Sequence, residues 1–73
     1  MLDNLNTLKQ AGELLHGKDW QRPLAKDLGV NDRTVRRWVS RDSQVKDGVI
    51  ADLKIILQSK IDNMQKMLDS FEG

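Results

Sequence analysis

Apolar residues recur along this chain at intervals of three and four, and nowhere does an alternating run of β-branched and aromatic residues reach the length of a strand. A spacing near 3.6 puts side chains on one face of a helix, whereas a half-buried strand needs a period of two. An all-α fold is the expected consequence. With 73 residues and 38% apolar content, the chain holds one modest core near the lower limit for independent folding. Cysteine is absent, so neither a disulfide nor a thiolate metal site can brace a fold this small. Packing between helices, or between subunits, has to supply the stability.

The stripes and the residues that interrupt them mark out four helices. Leu5, Leu8, Ala11 and Leu15 line up behind a capping Asp3 or Asn4, and Gly17 stands where a helix would stop; the first helix is expected from about Asn4 to His16. Pro23 is tolerated only in a first helical turn, so a second helix with Leu24, Ala25 and Leu28 inward runs from roughly Trp20 to Leu28 and ends at Gly29. Asn31 then caps a third helix that carries Val35, Trp38 and Val39 on one side and Arg33, Arg36, Arg37 and Ser40 on the other. After a loop from Arg41 to Asp47, apolar residues from Val49 to Phe71 repeat at helical spacing, which makes one long last helix starting near Asp47 or Gly48. The chain divides accordingly into a core of residues 1–46 and a helix of residues 47–73 that packs on it and continues beyond it.

Formal net charge is only +1, but its distribution is uneven. Residues 18–46 carry eight basic residues against four acidic ones, a surplus of +4, and the remainder sums to −3. A basic centre between acidic flanks suits a protein that offers one face to a polyanion. A uniformly solvated surface is the plainer explanation, because an arginine-rich helix face is often no more than that.

Context decides between the two. Gln21, Leu24, Ala25, Leu28, Gly29, Val30, Val35 and Trp38 stand at positions with separate steric reasons: a small Ala admits a close neighbouring helix, the Gly four residues later can take positive φ, and Val with Trp closes the core below. This pattern resembles the phage-repressor type, Cro/repressor-like, of helix-turn-helix DNA-binding regulator. The stretch Asp32-Arg33-Thr34-Val35-Arg36-Arg37-Trp38 also resembles the recognition helices of small phage and prophage regulators of bacteria, some of which neighbour anti-CRISPR genes. The likeness covers Gln21 to Ser40 closely and leaves the long last helix outside it. Two positions depart from the pattern: Trp20 stands where a Ser or Thr cap is usual, and Pro23 replaces a polar residue.

The resemblance implies that the second helix of the pair enters the major groove of double-stranded DNA. Carried over by position, the base-facing set is Asn31, Asp32, Arg33, Arg36, Arg37 and Ser40. Arg33 and Arg37, one turn apart, are the leading base readers, since arginine donates two parallel hydrogen bonds to guanine O6 and N7. Arg36 and Arg41 flank that ridge and are expected to meet phosphates rather than bases, and Gln21 and Thr34 fix register on the backbone. Asp32 can accept from a cytosine amino group or pair locally with Arg36. Trp38 and Trp20 are read as packing residues, Trp20 against the first or the last helix.

The apolar stripe of the last helix outruns what a three-helix core can cover. Val49, Leu53 and Ile56 are expected to face the core, leaving Leu57, Ile61, Met64, Leu68 and Phe71 for a second subunit, and so a homodimer on an inverted-repeat operator. Lys60 and Gln65 interrupt an ideal zipper, which favours a crossed or antiparallel helix pair over a parallel coiled coil. A tail folded back on its own monomer is the alternative.

Other chemistry has little to build on. His16 stands alone, with no second His and no Cys, and no Ser–His–Asp set or Gly-rich phosphate loop can be assembled. No enzyme, metal, cofactor or small-molecule ligand is expected. Met1-Leu2-Asp3-Asn4 lacks the basic start of a leader, and no window approaches the ~18 apolar residues of a membrane span. A cytoplasmic protein, nucleoid-associated when bound to DNA, is the expectation. Its simplest role is repression by occupying a promoter; an adaptor in a phage packaging or recombination complex, or a tail that binds another protein, are the competing readings.

Overall fold

The computed structural model describes residues 3–72; Met1 and Leu2, on which the leader reading partly rests, and Gly73 lie outside them. Four helices follow in order: α1 (Asn4–His16), α2 (Gln21–Leu28), α3 (Asp32–Val39) and α4 (Asp47–Glu72). No strand occurs among the described residues.

Local chemistry sets the ends of α1. The Asp3 carboxylate accepts from the Asn6 N–H at 2.8 Å, satisfying one of the donors a helix start leaves free. At the other end Gly17 donates to the Glu13 carbonyl at 2.8 Å and turns away with φ 78° and ψ −149°, a region nearly closed to other residues. The inward face is Leu5, Leu8, Ala11 and Gly12. Gly12 matters as much as its larger neighbours, because the Trp20 ring lies directly on it: a Cβ there would stand 2.7 Å from the ring's Cδ2.

Trp20 also explains why α2 begins one residue later than the sequence suggests. An indole offers no acceptor for a helix start, and its ring is only 5% exposed. Trp20 therefore contributes its backbone carbonyl, which accepts from the Leu24 N–H at 2.9 Å, and makes no side-chain cap.

Leu8, Leu24, Val35 and Leu53, one from each helix, are the largest fully buried side chains. Each such burial contributes roughly 1.5–3 kcal/mol. Leu5, Ala11, Trp20, Ala25, Trp38 and Val45 complete the core. Val45 comes from the connection between α3 and α4, which is tied back to α1: the Asn4 amide donates to the Val45 carbonyl at 2.9 Å and to the Asp47 carboxylate at 3.0 Å.

Helix α4 is the longest element, with 26 residues. At 1.5 Å per residue it extends about 39 Å, within a longest molecular dimension of 49 Å against 24 and 19 Å for the others. Its first half packs: Leu53 is buried, and Val49, Ile50 and Leu57 lie partly buried against the core. Leu57, grouped from the sequence with the partner-facing residues, therefore packs on the protein's own core. Ile56, expected inward, is half-buried. Every residue from Gln58 to Glu72 is exposed, so the tail does not fold back on its own chain. No helix among the described residues is long and apolar enough to cross a membrane.

Candidate nucleic-acid interface

The connection from α2 to α3 is three residues, Gly29–Asn31. Gly29 takes the left-handed conformation, φ 72° and ψ 27°. Its N–H donates to the Lys26 carbonyl at 3.1 Å, and the Val30 N–H to the Ala25 carbonyl at 2.9 Å. This is a Schellman close, and Val30 packs against the core as the chain leaves it. Asn31 is extended, and its Oδ1 accepts from the Arg33 N–H at 3.0 Å. Asn31 thus sits at the start of α3 with its acceptor occupied and its amide N–H groups available.

Val35, with no exposure, and Trp38, with 6%, hold the inner face of α3. That leaves Arg33, Arg36 and Arg37 exposed on the outer face. Four residues advance a helix by slightly more than one turn, so Arg33 and Arg37 form one ridge and Arg36 lies beside it. Asp32 is half-buried between two guanidinium groups, with its carboxylate 3.6 Å from Arg36 Nη1 and 3.9 Å from Arg22 Nε. Of the two roles the sequence leaves open to Asp32, the local pair with Arg36 is present, and Arg22 joins it from α2. These distances describe solvent-exposed, screened pairs of small energetic weight. Their structural meaning is larger: the first turn of α2, with Gln21 and Arg22, stands next to the first turn of α3. Gln21 and Thr34 are both half-buried at this end.

Ser40 and Arg41 stand at the opposite end. The Ser40 hydroxyl is turned into its own chain, donating toward the Arg37 carbonyl at 3.2 Å and the Asp42 carboxylate at 3.1 Å. Arg41 carries a feature invisible in the sequence: its φ is 68°, the one positive value among the non-glycine described residues. The Arg41 N–H donates to the Trp38 carbonyl at 3.1 Å and the Asp42 N–H to the Arg37 carbonyl at 2.9 Å, the same Schellman pattern that closes α2. Arginine here occupies the position where glycine is usual. Its guanidinium reaches to 3.9 Å from the Asp3 carboxylate and stays largely exposed.

His16 acquires a partner that spacing did not reveal. Its Nε2 lies 2.6 Å from the Asp27 carboxylate, joining the last turn of α1 to α2. No group of three metal-ligating side chains occurs among the described residues. Chemically, then, the arrangement offers three outward guanidinium groups on a short helix with a capped start and a Schellman-closed end, flanked by amide and hydroxyl donors. Comparison with protein-family models, with curated proteins and with solved structures finds no match.

Proposed function

We propose that this chain is a sequence-specific double-stranded-DNA-binding regulator of transcription, in which α2 and α3 form a helix-turn-helix and α3 is the recognition helix. The observation that carries this reading is the outer face of α3: Arg33, Arg36 and Arg37 are exposed while Val35 and Trp38 are buried on the opposite face. A helix of eight residues is about 12 Å long, comparable to the width of the major groove.

The roles follow from position. Arg33 and Arg37 make paired hydrogen bonds to guanine, and the Asn31 amide, with its oxygen engaged in the cap, acts on DNA as a donor. Arg36, beside the ridge and only weakly paired with Asp32, is shared between base edges and phosphate. Arg41, Gln21 and Thr34 meet the backbone, where contacts set register without reading sequence. Ser40, its one hydroxyl proton engaged toward Arg37 and Asp42, has only oxygen lone pairs to offer DNA. The +4 surplus of residues 18–46 supplies a salt-dependent attraction common to all sequences.

Repression by promoter occupancy is the simplest output. Footprinting on the DNA upstream of the protein's own gene tests it. A compact protected stretch over promoter elements is expected; diffuse or absent protection at protein concentrations that saturate random duplex would count against it.

A further inference from the structure

Among the described residues, nothing buries the apolar face of the second half of α4. Ile61, Met64, Met67, Leu68 and Phe71 are 57–77% exposed, the extremes being Leu68 and Phe71. Together they expose on the order of 600 Å², at the top of the range for the largest apolar patch on a monomer. At 100° per residue, Leu53, Leu57, Met64, Leu68 and Phe71 fall within an arc of about 60°, with Met67 and Ile61 at its two edges and Lys60 just inside the Met67 edge, where its long stem can lie along the stripe with the ammonium in water. The exposed stripe is therefore the direct continuation of the face that packs on the core through Leu53 and Leu57.

We propose that a second copy of this chain covers the stripe, its α4 running antiparallel to the first with Met64 at the two-fold axis. Direction follows from the shared face. A parallel partner would bring its own core to the same level, on the same side of the seam, and the two cores would collide. An antiparallel partner puts one core at each end and lays tail on tail. Met64 is the midpoint of the stripe between Leu57 and Phe71, so centring there buries all of it. Two such faces remove about 1,200 Å² from water, which reaches the lower bound of stable interfaces.

Charge agrees with the same direction. The last turn of α4 carries no basic residue, and its Asp69 and Glu72 lie unfavourably at the negative end of the helix dipole. Lys54 and Glu72 are 18 residues apart, about five turns, and so share one flank of the stripe. In an antiparallel pair like flanks meet, and each Lys54 arrives within about 3 Å in axial register of the partner's Glu72. In a parallel pair the two acidic ends would lie side by side.

The dimer stands on α4 alone; one consequence rests on the DNA reading above. Leu53 anchors each core eleven residues from Met64, so the anchors lie about 33 Å apart along the helix pair. Two-fold symmetry of the pair then makes the expected operator an inverted repeat.

The test uses the cysteine-free full chain and two single-cysteine variants, without DNA. Sedimentation at tens of micromolar should give twice the chain mass. Under mild oxidation Met64→Cys should cross-link to itself, while Phe71→Cys, with its two copies about 21 Å apart, should do so at least about tenfold more slowly, since a disulfide needs Cα atoms within roughly 7 Å. Met64→Glu, at an exposed position, should keep its helix content and weaken self-association on the order of a hundredfold. A strictly monomeric chain, equal cross-linking at both cysteines, or a Met64→Glu variant that still dimerises would each overturn the proposal. Because none of these involves DNA, the recognition role of α3 stands or falls separately, by footprinting.

Discussion

Arg41 is held in a backbone conformation that costs a non-glycine residue roughly 1–2 kcal/mol, at the point where α3 ends. Position and side chain can therefore be separated. Arg41→Gly should raise the melting temperature by several degrees, since about 1 kcal/mol corresponds to roughly 4–8 °C in a domain this size, while weakening DNA binding alike for all sequences. Arg41→Ala should weaken binding in the same way with no gain in stability, and both should flatten the salt dependence by about one counterion. Gly12 tests the core in the same spirit. Gly12→Ala improves helix propensity by about 1 kcal/mol, yet it drives a methyl into the Trp20 ring, and overpacking costs roughly 1–3 kcal/mol; calorimetry should show a net loss. Neither structural role was legible in the sequence, because the pattern around each residue is ordinary. A glycine after Ala11 reads as a weak point in a helix until the ring eight residues on is seen folded over it. An arginine after Ser40 reads as loop. His16 likewise looked solitary because Asp27, its partner, belongs to the next helix.

Among the elements, legibility tracked how local the cause is. The bounds of α1 and the start of α3 were readable because Asp3, Gly17 and Asn31 act on atoms a few residues away. The start of α2 was off by one, since the fate of Trp20 is settled by α1. The point where α4 leaves the core was placed one residue too early: Leu57 and Ile61 sit at the same helical spacing, and only the extent of the other three helices assigns Leu57 to the core. For α3, two expectations follow. Asn31→Ala removes the acceptor for the Arg33 N–H and should cost about 1 kcal/mol of stability in denaturant titration, within the roughly 0.5–2 kcal/mol span for such caps. Arg37→Ala should leave stability unchanged, because the side chain is exposed, and should relax the preference for guanine at one half-site position by roughly 1–3 kcal/mol.

At the scale of the whole molecule, one core at one end and a bare helix at the other account for the elongated dimensions, 49 Å by 24 Å by 19 Å. The core presents the arginine ridge of α3 and the overhanging half of α4 presents an apolar stripe, two separate surfaces for the two proposed partners, DNA and a second copy of the chain. All-helical architecture and the long last helix were expected from periodicity alone; the separation of the two surfaces required the packed arrangement. Sequence-specific recognition is assigned to the arginine ridge of α3. Selection of binding sites from a random pool of double-stranded DNA, carried out with the unaltered chain and with an Arg33→Ala/Arg37→Ala double variant, tests it most directly. A discrete guanine-containing motif whose guanines lose their enrichment in the double variant is the predicted result. No enriched motif at any salt concentration, or a motif that survives the double substitution unchanged, would contradict it.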